Sequence, residues 1–177
     1  MKITKKLLIT LYCLMFTCLL FSQDNVIPKI QLKTASIEKT ANYAVWRTDY
    51  YICTGIAYAK SLGKTVDDFA RFVGNTHSLE RMRGKGLEPA VQLINSVITN
   101  YKGGRFEILS ESDSLVTIKF NRAYDIYYKN GLLLGVTIDE FEKYSYSHLA
   151  ILLANIDLNF SYHIQGDSVM ASISKRK

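Results

Sequence analysis

Residues 137–174 read TIDEFEKYSYSHLAILLANIDLNFSYHIQGDSVMASIS, and two structural periods meet inside this stretch. Thr137-Ile138-Asp139-Glu140 is a capping box, in which a threonine hydroxyl and a glutamate carboxylate satisfy each other's backbone amides. Val136 and Phe141 occupy the staple positions on either side of it. A helix is expected from Ile138 to about Ala154. After Leu158 the period changes to two. Leu158, Phe160, Tyr162 and Ile164 alternate with Asn159, Ser161, His163 and Gln165, as they do on a strand with one covered face. Val169 to Ser174 returns along it through Gln165-Gly166-Asp167-Ser168, a tight-turn sequence.

The same two-residue period appears upstream. Arg105 to Ser110 and Leu115 to Arg122 read as strands joined by Glu111-Ser112-Asp113-Ser114. Val116, Ile118 and Phe120 face one side; Thr117, Lys119 and Asn121 face the other. Between the hairpins, 123–135 is ambiguous, with a turn signal at Asn130-Gly131. Further upstream the period is helical. Trp46, Tyr50, Cys53 and Ala57 form one stripe of a helix from about Ala41 to Leu62, which Gly63 stops. Thr65-Val66-Asp67-Asp68 caps a short helix from Val66 to Val73, closed by Gly74. A polar loop follows to Gly86. Pro89 opens a third helix whose stripe is Ala90, Ile94, Val97, Ile98 and Tyr101, ended by Gly103-Gly104.

The expected fold is therefore α+β, with N-terminal helices packed on a four-stranded antiparallel sheet made of two hairpins flanking a helix. One sheet face would pack on helices and leave the other to close over a ligand.

The first 22 residues have a different character. Lys2, Lys5 and Lys6 precede an uncharged apolar run from Leu7 to Phe21, and Ser22 is small. This is the pattern of a secretory signal peptide, and the run is short for a spanning helix, which needs roughly 20 apolar residues. Thr17, Leu19, Leu20 and Phe21 around Cys18 fit a lipidation site poorly. The organisation read here is signal peptide at 1–22, leader at 23–40 and a single domain at 41–177, with a periplasmic or secreted location. Membrane contact would come only through the signal segment if it stayed uncleaved.

Charge and cysteine content exclude several classes. The 177 residues carry 22 Lys+Arg against 16 Asp+Glu, but three lysines and no acids leave with the signal segment, so the remainder is close to balanced at +3. That is no electrostatic case for nucleic acid. Cys13 and Cys18 lie in the apolar run, leaving Cys53 alone after cleavage, which builds neither an internal disulfide nor a thiolate zinc site. Cys53 sits on a helix stripe, where a buried, inert thiol is the default.

The closing hairpin–helix–hairpin, with Gly166-Asp167 in its last turn, resembles small-molecule-binding domains related to the bacteriochlorophyll vinyl reductases. The resemblance covers roughly the last 70 residues and rests on element order. It implies a small ligand in an α+β pocket. The family places cysteines around that turn; here Tyr162 and Met170 stand at the corresponding positions, so thiol or metal chemistry there is not implied.

Candidate chemistry is sparse. Gly63-Lys64-Thr65 lacks the earlier glycine of a phosphate loop, because Tyr58 occupies that place. His77 and Glu80 would share a helical face, with Arg81 and Arg83 behind them. His77 as base, Glu80 as acid and Arg81 or Arg83 holding an anion are the catalytic candidates, against a plain solvated loop. His148, on the stripe of Phe141, Ser145 and Leu152, is a core histidine or a ligand contact. His163 lies on the polar face of its strand. Three histidines so dispersed predict no metal site, and no cofactor is expected. The 12 tyrosines group on the first helix (Tyr43, Tyr50, Tyr51, Tyr58) and around Tyr124, Tyr127, Tyr128, Tyr144 and Tyr146, a residue type suited to pockets and interfaces.

Three functions follow as expectations. The leading one is an exported, non-catalytic domain binding a small apolar or aromatic ligand through Trp46, Tyr50, His148 and His163. The second is a small periplasmic acid–base enzyme using His77 and Glu80. The third is a protein–protein interaction module of the cell envelope.

Overall fold

The computed structural model describes residues 36–124 and 131–176. The stretch read as a signal peptide, the expected leader up to residue 35, and Tyr127, Tyr128 and Asn130 of the expected turn lie outside the described residues. In chain order the elements are α1 (Ile37–Ser61), α2 (Val66–Thr76), a 3-10 turn (Glu80–Met82), α3 (Glu88–Thr99), β1 (Phe106–Glu111), β2 (Leu115–Asn121), β3 (Leu132–Leu133), β4 (Val136–Thr137), α4 (Ile138–Ala154), β5 (Leu158–Gln165) and β6 (Ser168–Lys175). No helix among the described residues is long and apolar enough to cross a membrane.

The two long hairpins join into one antiparallel sheet of order β1-β2-β6-β5, so the α+β architecture read from periodicity is the one observed. The join is β2 on β6, with Val116 opposite Ile173, Ile118 opposite Ala171 and Phe120 opposite Val169. These six side chains are almost fully buried, because pairing in this register puts all of them on the inner face. The outer face carries Thr117, Lys119, Ser172 and Ser161 in adjoining register.

Two apolar clusters hold the domain. The first lies under the sheet and adds Leu87, Ala90, Val91, Ile94 and Ile98 of the α3 region, with Tyr146 and Leu153 of α4. The second joins Cys53 and Ile56 of α1, Val66 and Ala70 of α2, Tyr124, Val136, and Phe141 and Tyr144 of α4. α4 thus has one side in each cluster. Among the N-terminal helices it is α3 that meets the sheet; α1 and α2 pack on α4. At about 25 cal/mol per Å² of apolar surface, burying one side chain such as Phe141 or Leu153 stabilises the domain by roughly 1.5–3 kcal/mol.

Both capping boxes form. Thr137 Oγ1 accepts from the Glu140 amide at 3.2 Å while the Thr137 amide donates to Glu140 at 2.9 Å. Val136 and Phe141 meet in the second cluster as the staple requires. At the other box, hydrogen bonds from the Thr65 amide and hydroxyl, and from Arg71, hold the Asp68 carboxyl down at about 2.

Four local expectations are corrected. α1 begins at Ile37, inside the stretch read as leader, because Ser36 accepts a hydrogen bond from the Lys39 amide and serves as its N-cap. α2 does not stop at Gly74 but runs on to Thr76. Gly74 is instead the place where α2 touches α4: a Cβ there would stand 2.8 Å from Ile151 Cγ2. On α3, Val97 is half exposed and Val91 takes its place in the core. The ambiguous segment holds a small β3–β4 hairpin, whose turn residues Leu134 and Gly135 both have positive φ, as its two-residue loop requires.

Candidate functional site

At one end of the sheet the termini of four elements leave a groove of about 700 Å³. Its walls are Thr99 at the end of α3, Gly104 to Glu107 entering β1, Lys119 to Asn121 leaving β2, and Ser168 starting β6. The sequence builds this rim locally. Asn121 donates to the Gly103 carbonyl at 3.0 Å and accepts from the Arg105 amide at 2.6 Å, pinning the turn to the strand end. Gly104 closes the turn so tightly that a Cβ would fall 1.9 Å from the Ile98 carbonyl oxygen. Phe106 is half-buried, Phe120 forms the floor, and Glu107 stands opposite Lys119 across the ladder. The residues around the groove therefore combine the half-buried Phe106 and the almost fully buried Phe120 of the inner sheet face with Arg105 and with Lys119 and Glu107 of the outer face.

Beneath it lies a buried polar network that sequence reading did not find. Arg122 holds Glu142 in a bidentate pair at 2.6 and 3.0 Å, and Glu142 is 3% exposed. The Tyr124 hydroxyl donates to Glu142 and shares a 2.6 Å hydrogen bond with Tyr146. Burial drives both phenols well above their ordinary range, so they remain neutral donors. Tyr146 also packs on Tyr162 at 4.2 Å. Tyr124 belongs to one apolar cluster and Tyr146 to the other, so this hydrogen bond crosses between them. Next to it, Tyr101 stacks edge-on to Tyr124 and donates a 2.7 Å hydrogen bond to Asp49. Asp49 is 0% exposed, its second carboxylate oxygen has no partner, and burial raises its carboxyl to about 6. Only the grouping of tyrosines in the sequence hinted at this network.

The residues singled out in the sequence are dispersed. His77 is exposed at the C-terminal cap of α2, and its Nδ1 lies 3.5 Å from His148 Nε2 on α4. Glu80 is taken by Arg83, whose Nε reaches it at 2.6 Å, and hydrogen bonding to Arg83 lowers its pKa. Arg83 also binds Asp157 and the Asn155 carbonyl, tying the 3-10 turn to the end of α4. Arg81 is exposed. Trp46, 38% exposed, stacks between Tyr43 and Tyr50 on the outward side of α1. His163 is exposed on edge strand β5, opposite Met170. None of Trp46, Tyr50, His148 and His163 lines the groove. Cys53 is fully buried in the second cluster.

Compared with known proteins, the chain matches no family model, no curated protein and no solved structure.

Proposed function

We propose that this chain is an exported, non-catalytic domain that binds a small molecule with an apolar or aromatic body and an anionic group. The groove at the sheet end carries the reading. Its volume of about 700 Å³ suits a small organic ligand, and its lining brings apolar and polar groups together, as ligand sites do. Phe106 and Phe120 would meet the body of the ligand, and Arg105 and Lys119 its charge. The hairpin–helix–hairpin order and the signal-like first 22 residues support the same reading.

The test is thermal unfolding of the purified chain against a set of aromatic and aliphatic carboxylates. A ligand present at 100 times its Kd adds about 2.7 kcal/mol, enough for a clear rise in Tm. That rise should vanish in Arg105→Ala/Lys119→Ala and persist in His163→Ala. A flat response across the set overturns the proposal.

One observation favours a second reading, the envelope interaction module. Tyr43, Trp46 and Tyr51 are 59%, 38% and 58% exposed along one stretch of α1, and Arg47 lies over the Tyr51 ring. Exposed aromatic groups of this kind mark interfaces. A strict monomer that isolates without companions from its native envelope counts against it.

A further inference from the structure

His77 and His148 are 71 positions apart in sequence, yet the packing of α2 on α4 sets their rings 5.6 Å apart. Nδ1 of one and Nε2 of the other stand 3.5 Å from each other, and among the described residues neither imidazole has another hydrogen-bond partner. That distance is long for a hydrogen bond, and the rings are tilted by 58°. It is close to what a shared metal ion demands. Two bonds of about 2.0–2.1 Å at a tetrahedral angle place the nitrogens about 3.4 Å apart.

The His148 ring is also held in place. Tyr144 stacks on the His148 ring at 5.4 Å and 16°, and Gly74 brings the α2 backbone to its other atoms, with its Cβ position 3.5 Å from His148 Cδ2. His148 is half-buried while His77 is exposed, so an ion has a way in from the His77 side.

We propose that His77 and His148 form a two-imidazole site for a borderline divalent cation of the zinc, nickel or copper type. Imidazole nitrogen is the ligand these ions share. Water, or an anion from solution, completes the coordination, since no group of three or more metal-ligating side chains gathers among the described residues. The site lies apart from the sheet-end groove and does not depend on it.

The chain has three histidines, which makes the test compact. Titrate the full chain with zinc chloride by calorimetry, then repeat with His77→Ala, His148→Ala and His163→Ala. One equivalent should bind to the wild type and to His163→Ala, with at least about tenfold weaker binding after loss of either His77 or His148. His77 is exposed at a helix end, so its replacement leaves the fold intact even if His148→Ala unfolds. No saturable zinc binding by the wild type overturns the proposal and leaves a bare imidazole–imidazole contact. Undiminished affinity in His77→Ala overturns it equally.

Discussion

Replacing Asp49 with asparagine should stabilise this protein, and by an amount that depends on pH. Asp49 is buried with one carboxylate oxygen bonded to Tyr101 and the other without a partner. Burial raises its folded-state pKa to about 6 from 3.8. Below pH 3.8 the carboxyl is protonated in both states and costs nothing. Between 3.8 and about 6 the unfolded chain releases the proton while the native state keeps it, so stability falls as pH rises. Above about 6 both states are ionised and the loss levels off. The rise from 3.8 to about 6, at 1.36 kcal/mol for each tenfold change in proton affinity, makes that loss about 3 kcal/mol. Asparagine keeps the acceptor for Tyr101 and has no proton to lose. Urea unfolding followed by circular dichroism, at half-unit steps from pH 4 to pH 8, reads the effect directly. The stability of Asp49→Asn minus that of the wild type should grow by about 2.5 kcal/mol across the series and level off by about pH 7. Other carboxylates, such as Asp68 with its lowered pKa, cancel in this difference. Tyr101→Phe removes the hydrogen bond that pulls the Asp49 pKa down, so it should push the window to higher pH. A difference that is flat from pH 4 to pH 8 would refute the reasoning, because Asp49 would then be solvated in the native state.

Three further outcomes are expected. Glu142→Ala strands the partly buried Arg122 and removes the acceptor of Tyr124, and should cost about 3–5 kcal/mol in chemical denaturation; Arg122→Met/Glu142→Leu should recover much of that loss. Phe141→Ala removes the staple contact and a side chain at the centre of the second cluster, with an expected loss of about 3–5 kcal/mol, whereas the exposed Phe72→Ala should change stability by less than about 0.5 kcal/mol. Gly74→Ala drives a methyl against Ile151 and should cost about 1–3 kcal/mol, while Gly74→Ala/Ile151→Val should be closer to the wild type, a cycle that thermal unfolding resolves.

Local chemistry made much of this protein legible before any coordinates. A capping box reports on four consecutive residues, and Thr137 to Glu140 behaves as that rule states, with α4 spanning Ile138–Ala154 as expected. Alternation reports on every second residue, and Val116, Ile118 and Phe120 are buried as their spacing predicts. Gly74 misled for an instructive reason. A glycine after an apolar stripe reads as a stop, but here its missing side chain serves a helix contact with a residue 77 positions away, which no local window contains. Val97 likewise lies at helical spacing from the core, yet α3 turns Val91 inward instead. β5 shows the same limit: Tyr162 and Ile164 alternate correctly but stay about two-fifths exposed, because an edge strand is covered on one flank only.

What the sequence by itself determined is the long helices, the two long hairpins and the inward face of strands such as β2, because these depend on residues one to four places apart. What only the tertiary structure decided is which distant groups meet: β2 beside β6, Asp49 beneath Tyr101, Arg122 and Tyr124 on Glu142, and His77 against His148. The physical reason is that such meetings follow from how whole helix and sheet faces exclude water and pack together. That packing depends on all of the buried surface at once and leaves no mark at fixed spacing along the chain.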